Sequence, residues 1–253
     1  MRKRVGRPGF ESGRRRGASA PSFSPDSLAG LQLWRDATDA GSITLNAGNV
    51  AQINDKSGNA RHFSQATASQ QPAYVSGQYI QFAAGGAGSN LLSGGIAASA
   101  VMSTTDNTLF IVLRADVGGF SSGTRFIGDG TFNGITGNGS GVLCRLWTGA
   151  TGTSDRNLTL SEETKYIITI RRYGGGATLA ASANGGTETS AAAGVALSSL
   201  AQNWNLPCND SALRAAYRFY EDICYNVALS VAEVNQVGQY LATKHSLTWT
   251  DIS

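Results

Sequence analysis

Short apolar segments, each the length of a strand and each bounded by a glycine- or asparagine-rich break, dominate the middle of this chain. The segments fall at residues 79–82, 109–113, 125–127, 142–147, 166–171, 178–182 and 217–225, and the breaks at 85–90, 128–141, 174–176 and 184–186. Runs this short suit strands separated by turns, and many of them in succession specify a β-sandwich or jelly roll. Residues 166–172 and 177–183 flank three glycines, which predicts a hairpin whose turn takes positive φ without a steric cost. Composition agrees with a β-rich exterior protein. Glycine fills 32 of 253 positions, and charged residues make up 15%, against roughly 25% in an average soluble domain. A hydrophobic content of 41% is enough for a sizeable core.

One helix is signalled near the C-terminus. Ser230 and Glu233 have the spacing of a capping box, and Leu229 and Val234 occupy the flanking staple positions. Val234, Val237 and Leu241 then form one apolar stripe that can lie on the sandwich, while Lys244 and His245 place positive charge in the last turn. This is an end-capping helix.

Both ends of the chain carry a family resemblance. Leu31, Leu33, Trp34, Asp36 and Ala37, then Asp55-Lys56-Ser57-Gly58-Asn59, then Pro72 and Tyr74 follow the opening pattern of concanavalin A-like lectin/glucanase (laminin-G-like jelly-roll) domains. Residues 221–230, running into 231–247, resemble the closing strand and terminal helix of the same domains. The resemblance implies an all-β jelly-roll sandwich over residues 21–253, preceded by an extended basic arm at 1–20. It also implies adhesive or architectural roles of the kind such domains play on phage particles and bacterial surface proteins. Asp222 departs from the pattern, because the family carries an apolar residue there.

The arm holds Arg2, Lys3, Arg4, Arg7, Arg14, Arg15 and Arg16 against the single Glu11. The whole chain carries only +3, so residues 18–253 are net acidic and the basic character belongs to the arm alone. Its glycines and Pro8 oppose a helix or strand. Guanidinium groups favour bidentate pairing with carboxylates or phosphates, so the arm reads as a partner-anchoring segment, with Phe10 as an apolar peg. A solvated tail is the bland alternative. With one aromatic, the arm has little capacity to stack on bases, and nucleic acid is not the expected partner.

No apolar run approaches the length of a membrane helix, and residues 5–24 lack the apolar core of a secretory signal. Cys144, Cys208 and Cys224 are an odd set without framework spacing, which reads as free thiols folded in a reducing cytoplasm. An adhesin-like fold made in the host cytoplasm without export is what a virion component would be.

Catalytic motifs are scarce. A jelly-roll glucanase would place paired carboxylates on alternate positions of one strand. Glu221 and Asp222 are adjacent instead, and adjacent strand residues point to opposite faces. His62 and His245 are far apart and in no ligand spacing, so neither a triad nor a zinc site is indicated. Asp129, Asp155 and Asp210 are loop candidates for structural calcium, but no spacing groups them. No metal or cofactor is therefore expected. Trp34 reads as core, and Asp36 and Asp55 as turn-holding residues. Trp147, Tyr173 and Trp204 lie near loops and are candidate stacking platforms for a sugar ring. The reading that unites these features is a structural protein of a tailed-phage virion, in the head decoration or the tail. It would be present in many copies, anchored by its arm to a neighbouring capsid or tail protein, and able to meet a host surface glycan. A free carbohydrate-binding module is the alternative, and a glycoside hydrolase the third.

Overall fold

In a computed structural model the described residues are 23–84, 92–128, 134–145, 155–193, 202–207 and 214–253. Seventeen strands follow in chain order: β1 (Leu31–Asp36), β2 (Ile43–Asn46), β3 (Asn49–Ile53), β4 (Phe63–Ser64), β5 (Ala73–Val75), β6 (Tyr79–Phe82), β7 (Leu92–Ala97), β8 (Asn107–Ala115), β9 (Arg125–Gly128), β10 (Gly134–Gly137), β11 (Gly141–Arg145), β12 (Arg156–Thr159), β13 (Lys165–Tyr173), β14 (Thr178–Ala183), β15 (Thr189–Ala192), β16 (Asn203–Leu206) and β17 (Tyr217–Tyr225). Two α-helices join them among the described residues, the single turn α1 (Ala98–Val101) and the long α2 (Val231–His245). Neither is long and apolar enough to cross a membrane.

The strands make two antiparallel layers. The front layer runs β1-β17-β8-β13-β14-β15, with Asp222 opposite both Arg35 of β1 and Ile111 of β8. The back layer runs β2-β3-β4-β7-β16-β9-β10-β11-β12. Strands β5 and β6 bridge the layers, because β6 pairs with the start of β17 while β5 touches β3. This is the all-β sandwich with a C-terminal helix that the sequence specifies.

Alternation along β8 explains its continuous apolar run. Leu109, Ile111 and Leu113 enter the core between the layers, whereas Phe110 and Val112 join a second cluster with Val234, Val237 and Leu241 of α2. A strand covered on both faces has no polar side to alternate with. The helix therefore forms a third layer over the front sheet. Its capping box is complete: the Ser230 hydroxyl accepts from the Glu233 amide at 3.3 Å, and the Glu233 carboxylate accepts from the Ser230 amide at 2.8 Å.

The other local expectations also find their places. The predicted hairpin is β13–β14, with Tyr173 opposite Thr178 across the glycine turn. Asp55 holds its turn by accepting from the amides of Trp34, Ser57 and Arg61 at 2.9–3.0 Å. One expectation fails. The glycine-rich stretch 128–141, read as a break, contains β10. At Gly134 an added Cβ would lie 1.9 Å from the Ile127 carbonyl oxygen and φ is +133°, so glycine is there to let two strands approach, not to interrupt one.

Candidate functional site

The clearest surface hollow on which a predicted residue falls lies at the end of β13. Arg171 and Tyr173 are two positions apart and so share the outer face of the front sheet. There the β14–β15 turn, the N-terminal end of α2 and the chain's last described residue converge around about 480 Å³ of open space. Tyr173, Thr187, Glu188, Ser190 and Ser253 line it together with Arg171.

Arg171 is buried and bonded through each of its three guanidinium nitrogens. Its Nε donates to Glu188 Oε1 at 2.9 Å, its Nη2 to Glu188 Oε2, and its Nη1 to the Leu229 carbonyl at 3.2 Å. The guanidinium carbon also sits 5.0 Å from the Tyr173 ring centroid. Arg171 is thus a positioning residue: it fixes the tyrosine ring and the Glu188 carboxylate in one orientation. Each Glu188 oxygen retains acceptor capacity after taking a single hydrogen bond. A fixed aromatic ring beside hydroxyls and an oriented carboxylate suits a ligand with apolar CH groups on one side and hydroxyl donors on the other, which is the chemistry of a pyranose.

The carboxylates of β17 do other work. Asp222 faces the inter-layer core and takes a two-point contact from Arg35, whose guanidinium lies 3.9 Å from the Phe63 ring centroid. Burial pushes the Asp222 carboxyl up, against the pull of Arg35. Glu221 faces the other way, under α2. It accepts from Trp34 Nε1 at 2.7 Å, meets His245 Nε2 at 2.7 Å and Lys244 Nζ at 2.8 Å, and binds the Tyr240 hydroxyl at 3.4 Å. Lys244 also reaches Asp36 at 2.6 Å, where Lys56 arrives at 3.0 Å. Burial alone would raise the Asp36 carboxyl, but Lys244, Thr38 and Lys56 together outweigh it and hold it at about 2. These acids tie the front sheet to the core and to α2, and the two on β17 do point to opposite faces.

The aromatic candidates divide. Tyr173 lines the hollow just described. Trp204 is a correction: it is 0% exposed in the core, because β16 is enclosed by β7 and β9, so its ring offers no face to a sugar. Trp147 lies outside the described residues, as do the anchoring residues Arg2, Lys3, Arg4, Arg7, Phe10, Arg14, Arg15 and Arg16, and the loop acids Asp129 and Asp210. Asp155 is described and joins no group of three or more possible metal ligands among the described residues. Cys144 and Cys224 are buried free thiols, pushed well above the ordinary thiol range by burial; Cys208 lies outside the described residues. Sequence reasoning missed Arg171 and Glu188. Arg171 is marked only as a charged residue at the end of a largely apolar run, and Glu188, in the β14–β15 turn, carries no signal.

No family model and no curated protein matches the sequence. Solved structures do match in shape. The binding domain of Paraclostridial Mosquitocidal Protein 1 aligns over 86% of this chain and 53% of its own, with a TM-score of 0.60 and 14% identity. The receptor binding domain of botulinum neurotoxin D aligns over 86% of this chain and 54% of its own, with a TM-score of 0.58 and 10% identity. Trypanosoma rangeli sialidase, solved in complex with sialic acid, aligns over 87% of this chain but 34% of its own, with a TM-score of 0.57 and 15% identity. The chain thus spans about a third to a half of these proteins. At such identities the likeness is one of fold: this chain is a β-sandwich of the kind that occurs within toxin binding regions and a sialidase.

Proposed function

We propose that this chain is a binding domain that presents the Tyr173 hollow to a glycan, and that it is carried on a tailed-phage particle by its basic arm. The observation that carries the binding reading is the hollow itself, where Arg171 holds an aromatic ring and a carboxylate in fixed relation. Two of the similar structures are named as binding domains, which supports recognition as the use of this sandwich. Hydrolysis would need two carboxylates open to one face, whereas Glu221 and Asp222 are spent on internal partners on opposite faces. The particle placement rests on the sequence resemblance and on the seven bases of the arm. Repetition on a lattice would let a weak single-site affinity become an effective one.

The test has two parts. Tyr173→Ala should weaken binding of the full chain to a host polysaccharide by about tenfold, the loss of roughly 1.5 kcal/mol of ring contact. Unchanged binding removes the hollow from the proposal. Co-sedimentation with particles that lack the protein should require residues 1–20 and weaken with salt. Equal sedimentation without those residues ends the anchoring role of the arm.

A further inference from the structure

A second hollow, of about 280 Å³, opens where the C-terminal end of α2 overhangs the front sheet. It is separate from the one at Tyr173, and its floor is Tyr220. Strand β17 bulges between Phe219 and Glu221, which brings Tyr220 to the helix side next to the glutamate that anchors α2. Its ring stands 6.0 Å from His245 and 5.6 Å from Tyr79. Lys165, the first residue of β13, extends over this ring, with its ammonium 4.8 Å from the ring centroid.

The charge balance at this place is uneven. Arg114 pairs with Glu163, and Arg218 approaches Asp116 at 3.5 Å. Lys244 is held by Asp36 and Glu221. Lys165 is different. It donates one hydrogen bond, to the His245 carbonyl at 2.6 Å, and no carboxylate pairs with it among the described residues. An ammonium has three donors, so two remain for a partner in the hollow. Partial burial lowers its pKa below the ordinary lysine range, with no anion among the described residues to restore it. A cation that has lost water and gained no counter-ion gains more from an arriving anion than a fully hydrated surface lysine would. Around it Thr38, Gln78 and Ser246 supply hydroxyl and amide groups, which can hydrogen-bond neutral hydroxyls beside the charge.

We propose that this hollow binds the carboxylate of an acidic sugar, with Lys165 as the anion contact and Thr38, Gln78 and Ser246 meeting the sugar hydroxyls. The proposal deepens the glycan-binding reading by naming a charged sugar and a second place for it. Each hollow is read out by its own residues, so one can fail while the other stands.

The experiment is an amide NMR titration of the full chain with sodium glucuronate, with glucose and sodium acetate as parallel probes. Glucuronate should shift the amides of Gly77, Gln78, Lys165 and Ser246, and glucose and acetate should leave them nearly still. Lys165→Met should weaken glucuronate binding by about 10–100-fold, the worth of one charge-assisted hydrogen bond, and Lys165→Arg should retain most of it. A thermal melt of each variant checks that the fold survives. Glucuronate shifts confined to Thr187, Glu188 and Ser190 would uphold glycan binding at Tyr173 and overturn this site. Equal shifts with acetate would overturn the sugar specificity. Binding unaffected by Lys165→Met would overturn the role of the lysine.

Discussion

Asp222 gives the sharpest test of the packing argument. Its carboxylate and the Arg35 guanidinium are both 0% exposed and bonded at two points between the sheets. Asp222→Leu would leave a guanidinium charge in the core with the Phe63 and Phe219 rings beside it and no carboxylate bonded to it. Removing one partner of a buried pair costs about 3–5 kcal/mol. For a domain of this size that is a fall in Tm of about 6–20 °C. Arg35→Met strands the carboxylate instead and should cost a similar amount. The double variant, Arg35→Met with Asp222→Leu, removes both charges and fills the space with apolar atoms. It should lie within about 1 kcal/mol of the parent or be more stable. The assay is urea unfolding of the four proteins as a double-mutant cycle, with m compared to confirm that the unfolding transition is unchanged. Additive single effects, with the double variant worst of all, would refute the claim that the two residues matter only as a pair.

Three further outcomes follow from single contacts. The Asp36 carboxyl sits at about 2 in the fold against 3.8 for the free group. It therefore contributes about 2 kcal/mol that is fully present above pH 4 and lost as pH falls through 2. Asp36→Asn should flatten the acid limb of a stability–pH curve across that window, and an unchanged limb would count against the Lys244 and Lys56 contacts. Gly238→Ala sets two effects against each other: alanine favours the helix by about 1 kcal/mol, but its Cβ would lie 2.2 Å from the Trp249 ring. Displacing an indole that donates to Asn235 costs about 1–3 kcal/mol, so the variant should melt lower than the parent. Ser230→Ala removes the cap of α2 and should cost about 1 kcal/mol by chemical denaturation, with loss of helical signal confined to the first turn.

Features governed by neighbours in sequence could be read directly. The Asp55 turn, the Ser230–Glu233 box and the glycine hairpin at 174–176 depend on spacings of a few residues. The departure at Asp222 was visible too, but only as an anomaly. Its answer, Arg35, lies 187 positions away and becomes a partner because β1 pairs with β17 in one register. Trp204 shows the opposite error. Flanked by Asn203 and Asn205, it reads as a loop aromatic, and only the strands on either side of β16 bury it. The Tyr173 hollow combines the two cases: the tyrosine was legible beside its turn, while Glu188 and the Leu229 carbonyl reach Arg171 from other elements. Lys165 carries no sequence signal, because its lack of a counter-ion among the described residues is set by which cations captured Glu163, Asp116 and Glu221. Sequence marked most of the elements, since turn glycines, the helix cap and the length of each apolar run are set by residues close together in the chain. Strand register and the distribution of buried charge were decided only in the folded sandwich, where residues remote in the chain compete for the same few partners.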